Sequence, residues 1–131
     1  MLERTGKRLN ISGGWSITQY IEGLDRGVHG MVPTGMHEVF CRLDKLYREG
    51  KRDKACQLYQ RIQPVIAFSN QDPGISLHFY KRMLWRMGYY ATPHVRAETV
   101  SFDRYFQRIA DDMIDLYLEV SKDVKQGVYD N

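Results

Sequence analysis

Residues 28–40 read VHGMVPTGMHEVF, and the fold of the whole chain turns on them. One reading takes His37, Glu38 and Cys41 as the start of a metal site, because His and Cys at i and i+4 share one helical face. The other takes Val28 to Val32 as a short apolar strand. Pro33 donates no ladder hydrogen bond and therefore belongs at the strand's end, with Thr34-Gly35 turning the chain into a helix. The second histidine of an HExxH pair is absent and no third ligand is in view. The favoured reading is a first-turn glutamate supported by the helix dipole, a packed Cys41 and no metal.

Working outward, the segment before this stretch repeats its pattern. RLNIS (8–12) is a brief strand with apolar Leu9 and Ile11, stopped by Gly13-Gly14. In SITQYIEGL, Ser16 and Gln19 have capping-box spacing, and Trp15, Ile17, Tyr20, Ile21 and Leu24 give one apolar helical face. Gly27 suits the turn past that helix's end. The order strand, helix, strand, helix predicts parallel βα units.

From Met36 the period is helical. Met36, Val39, Phe40, Leu43, Leu46 and Tyr47 share one face up to Gly50. Ala55, Leu58, Tyr59, Ile62, Val65 and Ile66 define a second helix with Pro64 inside it, where a kink is expected. Asp72-Pro73 can open a third, carrying Ile75, Leu77, Phe79, Tyr80, Met83, Leu84 and Met87 up to Gly88. Residues 89–100 hold Pro93 and no period, and read as a loop. A long last helix carries Phe102, Phe106, Ile109, Met113, Leu116, Val120 and Val124. The expected chain is mostly α with two short parallel strands.

Composition bounds the rest. The chain has 131 residues, 43% apolar and 27% charged, which suits one globular core. No window approaches the ~18 apolar residues of a membrane span, and MLERTGKRLN is too polar for a signal peptide, so the expected location is cytoplasmic, with no membrane partner. Cys41 and Cys56 lack CxxC spacing and read as reduced, packed thiols. The net charge of +3 is spread among acids. The densest basic run, YREGKRDK (47–54), is interrupted by Glu49 and Asp53 and has only Tyr47 as an aromatic, so it reads as a solvated helix connection and not a nucleic-acid surface. His29 reads as a packed or rim histidine, and His78 and His94 have no partners in sequence. Met83, Trp85, Met87, Tyr89 and Tyr90 read as core or subunit interface before they read as a ligand pocket.

Two parallel strands do not make a self-sufficient sheet, because parallel sheets are buried on both faces and need several strands to cover their edges. In that light LNISGGWSITQYIEGLDRGVHGMVPTG resembles the seventh and eighth βα units of the dihydrodipicolinate synthase and N-acetylneuraminate lyase family. The resemblance rests on Ser12-Gly13 at a strand end and on Gly27-Val28-His29-Gly30 leading into the next strand. It continues through LDKLYREGKRDKACQLYQRIQPV, similar to the family's eighth barrel helix and the start of its helical extension, and through ISLHFYKRMLWRMGY, where Lys81 and Gly88 match. It spans about residues 8–120.

The resemblance implies a (β/α)8 TIM-barrel parent: residues 1–50 as the last two βα units and residues 51–131 as a C-terminal helical domain. It implies a class I aldolase or dehydratase that forms a Schiff base with pyruvate or another 2-keto acid, using no cofactor. The family's Schiff-base lysine and proton-relay tyrosine precede Met1 on this matching. Lys7, Lys45, Lys51, Lys54 and Lys81 fall outside barrel strands, so the expectation is a C-terminal fragment of a lyase, inactive alone, with no catalytic residue of its own. What carries over is substrate binding: Gly13 and Val32, with Ser12 and Thr34, at the C-terminal strand ends where such barrels hold their sites. Gly14, Trp15 and the VPTG ending depart from the family pattern and suit a sugar-acid substrate better than lysine biosynthesis. An incomplete barrel exposes apolar faces, so a homo-oligomer is expected. The alternative is a non-catalytic helical module for self-association.

Overall fold

The computed structural model describes every residue except 1–3, 5, 7, 16, 98 and 131. The readings made on Lys7 and on the cap at Ser16 lie outside the described residues. Strand β1 (Ser12–Gly13) leads through a 3-10 turn (Ile17–Gln19) into α1 (Tyr20–Asp25), then β2 (Gly30–Met31) and α2 (His37–Arg48). Three longer helices follow: α3 (Arg52–Ser69), α4 (Pro73–Arg86) and α5 (Arg104–Lys125).

The strands pair in parallel, Ser12 with Gly30 and Gly13 with Met31. His29 pins their entry twice. Its backbone N–H donates to the Ile11 carbonyl at 2.9 Å, and its Nδ1 accepts from the Ile11 N–H at 3.0 Å. Arg48 of α2 reaches back to the His29 carbonyl at 2.8 Å. Among the described residues the sheet has only these two strands, so each keeps one side without a strand partner.

Both strands are shorter than their apolar runs. The paired segment begins at Ser12, and Leu9 is exposed. Val32 still donates to the Gly13 carbonyl at 3.0 Å, but it lies beyond β2 with 65% of its surface exposed. Trp15 does not join the face of Ile17, Tyr20, Ile21 and Leu24. Helical geometry begins after it, at Ile17, and the indole is left 55% exposed. The first helix ends at Gly27, where φ is +82° and the Val28 N–H returns to the Gly23 carbonyl at 2.9 Å.

Local signals set the long helices. Asp72 caps α4, accepting from the N–H groups of Gly74 at 2.7 Å and Ile75 at 3.3 Å, with Pro73 at the first position. Asp103 does the same for α5, accepting from Tyr105 and Phe106. Helix α3 runs through Pro64 without interruption. The core runs from Ile17 to Tyr129 through α2, α3, α4 and α5, with Leu43, Leu46, Leu58, Ile62, Ile66, Phe79, Met83 and Ile114 fully buried. It passes across residue 50.

Three apolar positions read as packed face outward. Ile109 is 47% exposed, because α5 packs through Ala110, Ile114, Tyr117, Val120 and Ser121. Leu77 of α4 and the Cys41 thiol of α2 are also exposed. The basic run at 47–54 is tied to acids. Arg48 meets Asp44 at 2.6 Å, Lys51 meets Glu49 at 3.6 Å, and Arg52 with Tyr47 grips Asp25, holding that carboxyl down at about 2. No helix among the described residues is long and apolar enough to cross a membrane.

Candidate functional site

The C-terminal ends of both strands run toward α4. After β2, Pro33 and Thr34 lead to Gly35, whose φ of +74° is open to glycine and costly for other residues. A Cβ there would stand 2.6 Å from Met83 Cε and 3.1 Å from Tyr80 Cδ1. The bare backbone of Gly35 therefore seats the loop directly on α4. Behind it, Met31 lies against Gly23 of α1, which holds β2 from the other side.

That seating creates a cleft of about 420 Å³ between the strand-end loops and α4, lined by Trp15, Thr34, Pro73, Ser76, Leu77, Tyr80, Lys81, Leu84 and Tyr90. Its walls are mainly apolar. The Tyr80 hydroxyl is buried beside the Ser69 hydroxyl at 3.2 Å, and burial pushes its pKa up. Lys81 is the one cation among the described lining residues, its Nζ 5.2 Å above the Tyr90 ring. Among the described residues that line it none is a carboxylate, histidine or thiol, and its polar side-chain groups are hydroxyls, the Trp15 indole N–H and the Lys81 ammonium.

The four residues read as substrate-binding do not gather in one place. Ser12 and Gly13 form β1 itself, and Thr34 lines the cleft. Val32 instead lines a second cavity of about 460 Å³ along the outer side of β2, with His29, His37, Cys41, Asp44 and Arg48 among its walls. Tyr20 is there too, its hydroxyl pKa pushed far up by burial first and then by Asp44 and Cys41. Although His37, Cys41 and Asp44 share this cavity, no group of three or more His, Cys, Asp or Glu among the described residues can hold a metal ion.

Glu38 meets a different partner from those the HE-x-x-C spacing suggested. Burial favours its protonated form, but hydrogen bonds from Ser121 and from Lys125, the latter at 3.0 Å, outweigh it and hold the pKa below the usual value. The carboxylate fastens the start of α2 to the end of α5.

A third cleft, about 380 Å³, lies where the 89–100 loop crosses α4. It brings His78 and His94 together with Arg82, Phe102 and Gln107. His78 stacks on Phe102 with ring centroids 4.8 Å apart and meets Thr99 Oγ1 at 3.0 Å. Burial lowers its pKa against a smaller opposing pull from the Val100 backbone. Nothing local in the sequence joins residues 78 and 94; the loop's path does. Comparison with protein-family models, with curated proteins and with solved structures finds no match to this chain.

Proposed function

We propose that the chain is the C-terminal portion of a Schiff-base lyase similar to dihydrodipicolinate synthase, acting on pyruvate or a 2-keto sugar acid, and that it is inactive alone. One observation carries the reading. Two short strands pair in parallel within a β–α–β–α order, each with a side that no other described strand fills. A parallel pair of two-residue strands has little stability of its own and suits the closing edge of a larger sheet. The helical remainder is consistent with such a barrel's C-terminal extension, and the strand ends open toward a cleft, as they do in barrel enzymes. In this reading Ser12, Gly13, Val32 and Thr34 contribute to the keto-acid site only when the preceding units supply the rest of it.

Borohydride trapping with pyruvate tests it. Mass spectrometry of the 131-residue chain should show no pyruvyl adduct on any lysine. A stable adduct, on Lys81 of the cleft or elsewhere, overturns the proposed inactivity.

A second reading, a helical module for self-association, is favoured by the exposed side chains of Trp15, Val32, Leu77, Trp85 and Tyr90. Light scattering at micromolar concentration separates the two. A discrete oligomer supports the module, and ill-defined aggregates support the incomplete barrel.

A further inference from the structure

We propose that the cleft between the strand-end loops and α4 binds a small carboxylate with a flat apolar body, of the arylalkanoate class. This goes beyond the lyase reading and does not depend on it, because the ligand needs no keto group and no missing strand.

The first argument is charge. Helix α4 carries three basic residues besides His78. Two are committed to α5: Arg82 holds Asp111 through two hydrogen bonds of 2.7 Å, and Arg86 holds Asp115 at 2.7 Å. Lys81 has no carboxylate within ion-pair reach among the described residues, and its ammonium rests over the Tyr90 ring at the cleft instead. A cation–π contact positions an ammonium without neutralising it, so the charge stays available to an anion. Among the described residues no acidic side chain lines the cleft to repel one.

The second argument is shape and polarity. Trp15, Leu77 and Tyr90 are all large apolar side chains left exposed, and they converge on one concavity with the buried Tyr80 and half-buried Leu84. Apolar surface held in water is unfavourable, and a ligand's ring recovers that cost by covering it. Two aromatic walls with one cation at the rim match a ligand with one ring and one carboxylate. Inorganic anions would leave the walls wet, and neutral aromatics would leave Lys81 unmatched.

The test uses the full chain with Trp85→Phe, so that Trp15 is the only indole reporter. Titration with 3-phenylpropionate should give a saturable change in Trp15 fluorescence. The neutral analogue 3-phenyl-1-propanol and acetate should each bind about tenfold or more weaker, tenfold being the scale of one modest charge pairing. Lys81→Met should weaken 3-phenylpropionate by a similar factor, and Lys81→Arg, which keeps the charge, should retain binding. Equal binding of acid and alcohol, or a Lys81→Met variant that binds like the parent, overturns the proposal. So does a saturable signal that is absent while circular dichroism shows the chain folded, or a dimer seen by light scattering whose Trp15 signal does not respond to the acid. In that last case the face belongs to a second copy of the chain.

Discussion

The strand-bearing part and the helical part of this molecule meet the same burial problem by different means. Helices α2, α3, α4 and α5 enclose Leu43, Leu58, Ile62, Ile66, Phe79 and Ile114 completely. The strand part leaves Leu9, Trp15 and Val32 facing out. The difference lies in how each element satisfies its backbone. A helix closes its hydrogen bonds internally and has only a side-chain stripe to bury, whereas a strand needs a neighbour on each side before its faces can be covered. Four helices complete one another. Two strands do not.

Four substitutions test that contrast, in descending order of effect. Leu58→Ala, in the enclosed helical core, should cost about 3 kcal/mol in urea unfolding, from the transfer and cavity terms together. A cost below about 1 kcal/mol would mean that the helical part is not the main source of stability. Gly35→Ala acts at the joint between the two parts. A side chain at φ +74° pressed on Met83 and Tyr80 should cost about 2 kcal/mol and alter the fluorescence of Trp15 across the cleft. Loss of stability without a change at Trp15 would show that the loop does not set the cleft.

Glu38→Gln loosens the tie between α2 and α5 by about 1 kcal/mol. The sign with pH follows from the lowered pKa of Glu38. Its contribution is present above the ordinary value of 4.5 and is lost as pH falls through the folded value, so the parent should lose stability in that window more steeply than the variant. Matching acid limbs in the two unfolding curves would remove Glu38 from the account. Last, Val32→Lys should change stability by no more than about 0.5 kcal/mol, because the side chain is already in water. It should nonetheless reduce any light-scattering signal from association along the β2 edge. A large destabilisation would show that Val32 is packed after all.

What could be read from the sequence was what depends on nearby residues. The cap and proline at Asp72-Pro73, the turn at Gly27, the parallel βα order and the four long helices all follow from local chemistry and short periods. Errors cluster where a neighbour decides. The strand Val28–Val32 shrinks to Gly30–Met31, since pairing extends only as far as β1 accompanies it. The outward turn of Ile109 reflects a buried face centred on Ala110 and Ile114, and alanine is too small to announce a core position by its hydrophobicity. Cys41 reads as a packed thiol by residue type, but is exposed and lines the cavity beside β2.

The candidate sites divide the same way. Ser12, Gly13, Val32 and Thr34 were legible as strand-end residues, but only packing shows that Thr34 and Val32 line different cavities. Lys81, 47 positions after Thr34, becomes its neighbour because Gly35 lets the loop sit flush on α4. His78 and His94 line one cleft because the loop between them folds back across the helix.

By itself, then, the sequence determined roughly where the long helices run, that Asp72-Pro73 opens one of them, and that two strands run parallel with a helix between them, since these rest on backbone and side-chain interactions over a few residues. Only the tertiary structure decided which apolar residues are covered, where Glu38 finds its partners, and that the Lys81 ammonium, with no carboxylate partner among the described residues, faces an aromatic cleft. Those outcomes depend on contacts between residues far apart in the chain, and local pattern carries no record of which surfaces will meet.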